Sequence, residues 1–320
     1  MARITQIVRP ILMAPRLIIN ADDFGLTSGV NRAIAELHQS NALTSATLMA
    51  TGRAFEDAVA IARSHPTLGV GCHIVLTDGV PVSPPDTIPT LIGVDGNNFR
   101  PSLLDFVQAL LRGIIRAEDI EREATAQIQK LQRAGIQVTH IDTHKHTHLF
   151  PAVSRPLLTI LERTGIAAIR NPFEPGFVQH LAHAGLKRRL QLALLNRLRP
   201  AFVQLGQLRA ANILTTDGTV GVSATGNLAS NTLSQILSVL PPSGTFELVC
   251  HPGYNDADLD SIPTRLRTHR QIEMQALLTA IPAMLSQPNA PSLIHYGNLG
   301  SSGHTDRLIP EAGIANARTQ

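Results

Sequence analysis

"LIINADDFGL" (residues 17–26) runs from apolar, β-branched residues into an asparagine and two adjacent aspartates. Such a run reads as a strand buried along its length that presents carboxylates at its C-terminal end. Neighbouring side chains of a regular strand face opposite ways, so Asp22 and Asp23 reach one site only where the chain turns, as Gly25 permits. Thr27 or Ser28 is available to cap the helix that follows (28–41), whose Val30, Ala33, Ile34 and Leu37 share a face, so the aspartates are not needed as caps.

The same alternation continues along the chain. Strands are expected at 44–50, 68–77, 138–144, 166–171, 245–251 and 292–298. Helices are expected at 54–65, 102–115, 117–134, 151–165, 230–240 and 263–281, the one at 151–165 stopping at Gly165. Residues 78–101 are rich in Pro and Gly and read as a loop, and 177–225 gives no clear pattern. About seven or eight strands alternating with helices indicate a parallel α/β architecture, a (β/α) TIM-like barrel, seven-stranded or irregular. No G-x-G-x-x-G follows the first strand, so a doubly wound dinucleotide-binding sheet has no support.

Chemistry collects where such a barrel keeps its active site, at the strands' C-terminal ends. Asp22 and Asp23 follow the first strand, His73 lies late in the third, Arg170 on the fifth and His251 closes the seventh. The densest stretch is "THIDTHKHTHLFP" (139–151). If extended, it points His140, Asp142, His144, His146 and His148 to one face. Imidazoles beside carboxylates are the ligand types of a divalent metal site.

With 320 residues, 43% of them hydrophobic, the chain can bury a sizeable core, here a single domain over 13–300. Residues 1–12 read as an N-terminal extension, with Met1 or Met13 as the start, and 301–320 as a tail. The net charge of +3 comes mostly from scattered arginines among only 3% aromatics, which argues against nucleic acid. Arg9, Pro10 and Pro15 interrupt the N-terminal apolar stretch, so a signal peptide is not expected, and no run approaches the ~20 apolar residues of a membrane span. Cys72 and Cys250 sit in apolar runs and read as buried thiols of a reducing, cytoplasmic setting. The stretch 180–205 sets leucines among Lys187, Arg188, Arg189, Arg197 and Arg199. It reads as an ordinary barrel helix with a basic outer face, or as a peripheral contact with the inner membrane surface. An exposed apolar helix face would allow a homodimer.

The segments "LIINADDFGLTSGVNRAI", "LTSATLM", "LGVGCHIVLTDGVPV", "THIDTHKHTHLFPAV", "IRNPFEP" and "ELVCHPGYND" resemble, in order, the motif series of the YdjC-like carbohydrate deacetylases. The resemblance implies a deacetylase-type barrel, often seven-stranded, that removes acetyl from an N-acetylated sugar with one divalent metal, Mg or Zn. It makes Asp23, His73 and His144 the metal ligands, Asp22 the general base and His251 the general acid. His146, His148, Arg170 and Asp142 would touch substrate or support these groups, Arg170 by orienting Asp22. Lys145 departs from the chitooligosaccharide members, which carry a histidine there; on a strand it would point away from His144 and His146. The loop 78–101 and "IRNPFEP" are closer to the hopanoid-associated members, which implies a glycolipid substrate, with a soluble chito-oligomer as the alternative. A metal-dependent phosphoesterase would use similar ligands, usually with more than one metal.

Overall fold

The first strand, β1 (Arg16–Phe24), is buried from Leu17 onward and forms the axis of the sheet. The computed structural model describes residues 15–300 apart from 180, 182–194, 209–212 and 263. On one side β1 pairs in parallel with β6 (Thr245–Cys250), Arg16 through Ala21 matching Thr245 through Cys250. On the other it pairs with β2 (Ser45–Leu48), and at Arg16 and Leu17 with the short β7 (Ser292–Leu293). β3 (Gly69–Ile74), β4 (Ile141–Thr143) and β5 (Gly218–Val220) complete the parallel order β4-β3-β2-β1-β6-β5. Burial on both faces explains why these strands read as continuous apolar runs.

The sheet curls, but its regular ladder does not run continuously from β4 to β5. The strand expected at 166–171 contributes only isolated bridges, Ile141 with Ile169 and Ala168 with Leu214. The reason lies in its polar residues. The Asn171 amide donates to the Thr216 carbonyl and accepts from the Phe173 N–H, and the Asn171 carbonyl accepts from the Thr219 hydroxyl. Ala167 to Arg170 still exchange main-chain bonds with Ile141 and Leu214, but at Asn171, with Pro172 lacking an N–H, side chains take over and the ladder stops. The closed barrel expected from the sequence is therefore a curled six-strand parallel sheet with β7 attached.

The helices cover the sheet as their stripes predict. α1 (Ser28–Gln39) is capped by Thr27, whose hydroxyl accepts from the Val30 N–H, and buries Val30, Ala33, Ile34 and Leu37. It is followed by α2 (Phe55–Ser64), α3 (Leu103–Leu111), α4 (Ala117–Arg133) and α5 (Pro151–Thr164), the last ending at Gly165 with φ 70°. α6 (Arg199–Leu208) and β5 lie in the stretch that gave no pattern. Lys187, Arg188 and Arg189, on which the membrane reading leaned, lie outside the described residues, as do 1–12, Met13 and the tail 301–320. α7 (Ser230–Ser238), the single turn α8 (Ala257–Asp260) and α9 (Thr268–Leu285) complete the set. The last expected strand, 292–298, is only β7 followed by a 3-10 turn at Tyr296–Asn298.

Residues 78–101 are ordered by α4, which turns polar side chains inward. Glu123 accepts from the N–H groups of Val82 and Ser83, Asp119 from the N–H and hydroxyl of Thr90, and Gln127 clamps both backbone groups of Val75. Ile88, Leu91, Ile92 and Phe99 of the same segment are buried beneath.

Candidate active site

The stretch 139–151 does not stay extended. β4 ends at Thr143, and His144–Leu149 coils as a 3-10 segment in which Lys145 (φ 56°) and His146 (φ 52°) are left-handed. The single face of histidines expected from the sequence is thereby broken up. Left-handed backbone at two consecutive non-glycine residues is strained, and its position beside the cluster described below is where such strain is usually found. Lys145 neither points idly away nor meets the histidines: its ammonium binds Asp78 at 2.5 Å, tying this turn to the loop after β3. His140 is buried away from the rim, stacked on Tyr296 with ring centroids 3.8 Å apart.

The turn that brings both aspartates together is made by Asp23, with φ 64°, and by the expected Gly25, with φ 89°, beside a register shift between Ala21 and Phe24. Asp22 and Asp23 thus face one volume, joined by His73 from β3, His144 after β4, Arg170 and His251 after β6. Asp23 Oδ1 lies 3.6 Å from His73 Nε2 and 3.5 Å from His144 Nδ1, and those two nitrogens are 3.3 Å apart. Ligands ~2.1 Å from a tetrahedral metal stand ~3.4 Å from one another, so this triangle fits a divalent ion. His73 Nδ1–H donates to Asp142 Oδ1 at 2.7 Å, which leaves Nε2 with its lone pair toward the triangle. Asp22, His73 and Asp142 also lie close enough to form a cluster. That space is already filled by the Arg170 guanidinium, bound to both carboxylates, and by the Thr47 hydroxyl.

Electrostatics point the same way. Asp22, Asp23, Asp142, Glu247 and Glu273 are all buried here against the two guanidiniums of Arg170 and Arg270. Burial opposes ionisation of Asp22, yet the Arg170 charge, followed by His73, holds its carboxyl well below the usual range. Burial likewise opposes the charge on Asp23, and Arg270 followed by His144 overcomes it. His73 is pushed up to about 9 because Asp142, Asp22 and Asp23 outweigh its burial: the site attracts a cation, and without one it takes a proton. His251 Nε2 stands 3.8 Å from Asp22 Oδ2, and its main-chain N–H donates to Glu273 at 2.7 Å.

His146 and His148 are kept neutral instead. Burial, then the Arg170 charge, lowers His146 to about 3, and burial, then His146, lowers His148 well below its ordinary value. Nδ1 of His146 and Nε2 of His148 have no hydrogen-bond partner among the described residues. His148 Nδ1 is paired with the Thr143 hydroxyl at 2.6 Å.

Neutral burial has a measurable cost in acid. His140 and His148 bind protons in the unfolded chain near pH 6.5 but only well below that when folded. Each therefore removes about 1.4 kcal/mol of stability per pH unit as the pH falls below ~6.5. His73 has the opposite sign: its contribution is complete below ~6.5 and fades as the pH rises through about 9, so it does not mask the acid limb. Urea unfolding of EDTA-treated protein should show the loss between about pH 6.5 and 5.5. A constant midpoint over that interval would mean that these rings are solvated.

Sequence reading missed Arg270, Glu273 and Glu247. Arg270 Nη2 binds Asp23 Oδ2 at 2.5 Å, and Glu247 accepts from Arg170 Nε and Nη2 at 2.6–3.1 Å. A signal was present: Arg270 and Glu273 fall on the stripe of Met274, Leu277 and Ile281, where an ordinary helix has apolar residues, and Glu247 interrupts the apolar strand "TFELVC".

Fold and site define an α/β protein with an acid- and imidazole-lined centre at the C-terminal rim of a curled parallel sheet. The chain belongs to the YdjC-like family: the family model described as "YdjC-like protein" matches residues 16–285. A carbohydrate deacetylase of Brevibacillus brevis is 45% identical over 147 residues, 46% of this chain and 56% of that relative, so the chain matches only about half of that protein's length. A carbohydrate deacetylase of Thermoanaerobacter pseudethanolicus is 27% identical over 285 residues, covering 88% of this chain and 98% of the relative. Among solved structures, one from Enterococcus faecalis V583, described as a candidate cellobiose-phosphate cleavage protein, superposes with a TM-score of 0.71. It covers 90% of this chain and 99% of its own at 24% identity, a likeness of fold.

Proposed function

We propose that the protein, through one domain over residues 13–300, hydrolyses the acetamide of an N-acetylated sugar with one divalent metal ion. The observation that carries this reading is the Asp23–His73–His144 triangle set beside Asp22 and His251, in a family whose relatives are named carbohydrate deacetylases. Two imidazoles and one carboxylate suit a zinc-like ion better than magnesium, which prefers an all-oxygen shell.

An amide is a poor electrophile, so three tasks must be met: polarising the carbonyl, activating water and protonating nitrogen. When bound by Asp23, His73 and His144, the ion would polarise the acetyl carbonyl and acidify water. Asp22 takes the proton of the attacking water. Its two oxygens are held by Arg170 at 2.6 and 2.9 Å, which keeps it ionised and aimed. His251 gives a proton to the departing nitrogen as the C–N bond breaks, releasing acetate and a free amine. Asp142 holds the His73 ring by Nδ1, and Glu273 fixes the backbone under His251. His146, partly exposed, would contact substrate, while the fully buried His148 would support the site from behind. A phosphoesterase using more than one metal is disfavoured because Arg170 fills the second acidic cluster.

The substrate is a soluble chito-oligomer or an N-acetylglucosaminyl glycolipid met at the membrane surface; no described helix is long and apolar enough to cross a membrane. Acetate release from both, measured in parallel, separates them. One ion per chain is expected, with release lost after EDTA and restored by Zn²⁺. Full release from metal-free protein would sink the metal assignment. Metal binding without release from any N-acetyl sugar would sink the substrate assignment.

A further inference from the structure

The Asp23 carboxylate is divided between two neighbours. Oδ1 faces His73 and His144, while Oδ2 is taken by Arg270 Nη2 at 2.5 Å. Arg270 reaches it from α9, buried to 1% exposure, with Nε donating to the Leu266 carbonyl at 3.0 Å. Nη1 has no partner among the described residues, so the guanidinium is not there to satisfy a full set of structural bonds. A cation beside a cation site works against metal affinity. Like charges at such short range repel even with protein screening, so the arrangement needs a compensating purpose.

We propose that Arg270 is a positioning residue that reserves Asp23 Oδ2, holding the carboxylate to single-oxygen ligation and keeping a coordination position free for substrate, at the expense of metal affinity. This rests on the metal-assisted reading above. A carboxylate with both oxygens free can ligate through both, which tightens the ion and fills its shell. Bound by a charge-assisted hydrogen bond at Oδ2, Asp23 keeps one oxygen for the triangle. The same helix places Glu273 under His251 three residues on, so α9 sets both the ligand and the proposed acid.

Titration of EDTA-stripped protein with Co²⁺, followed by visible absorption, tests this. In wild type one Co²⁺ should give the stronger absorption of a low-coordinate ion. Arg270→Met should bind Co²⁺ about tenfold tighter or more, since the cation's repulsion is gone. Its absorption should weaken as the second oxygen joins, and turnover should fall about 10–100-fold. Arg270→Lys, which still offers a cation to Oδ2, should keep the wild-type spectrum and affinity. If Arg270→Met does not fold, Arg270→Gln takes its place with the same expected gain in affinity. An unchanged spectrum with equal or weaker Co²⁺ affinity in the neutral variant overturns the proposal. Failure of wild type to bind Co²⁺ overturns the metal reading itself.

Discussion

Asp22→Asn should release acetate about 10²–10⁴-fold more slowly than wild type, the range expected when a positioned general base is removed. Asparagine keeps the shape of aspartate and one oxygen for Arg170, but it cannot accept the proton of water. Asp22 is not among the three atoms of the triangle, so the variant should bind metal with unchanged stoichiometry. The fold should persist, because Arg170 retains Glu247 and Asp142. The loss should therefore appear in kcat, with melting temperature and metal content near wild type. A variant that keeps more than about a tenth of the rate would remove Asp22 from the base role and leave Glu273 or His251 as the group to examine.

The second large effect concerns stability. Arg170→Met should cost about 3–5 kcal/mol, the usual consequence of removing one partner from a buried ionic network. Arg170 is fully buried and forks onto Asp22 with Nη1 and Nη2 and onto Glu247 with Nε and Nη2, with Asp142 on Nη1. Removing it leaves three buried carboxylates without their cation. Arg170→Lys should recover only part of the loss, because an ammonium cannot form two forks at once. Urea midpoints for the three proteins measure this. A methionine variant within about 1 kcal/mol of wild type would show that the carboxylates share protons rather than depend on the guanidinium.

Sequence reading reached the groups whose chemistry is independent of local geometry. Asp22, Asp23, His73, His144 and His251 stand at strand ends, and strand ends were legible from apolar runs. What stayed hidden depended on backbone hand and on helix faces. Lys145 and His146 adopt left-handed backbone without a glycine to announce it, so the histidine run looked like strand. Asp23 turns together with Gly25, the expected pivot, though no glycine marks its own position. The segment at 166–171 has strand composition and keeps main-chain bonds to Ile141 and Leu214, yet Asn171 and Pro172 end the ladder there. Arg270 and Glu273 lie within the helix expected at 263–281, and only its packing against the sheet turns them toward the site.

The inward carboxylates of α4 bear on conformational entropy. Fixing a residue's backbone costs about 1–2 kcal/mol, and a long loop that closes only over its ligand must draw that sum from binding. Here Glu123, Asp119 and Gln127 tie the segment after β3 during folding, and Lys145 fastens its first residue, Asp78, to the turn carrying His144. A ligand reaching the rim would find this segment already in place, and its binding energy would remain free to distinguish one substituent from another.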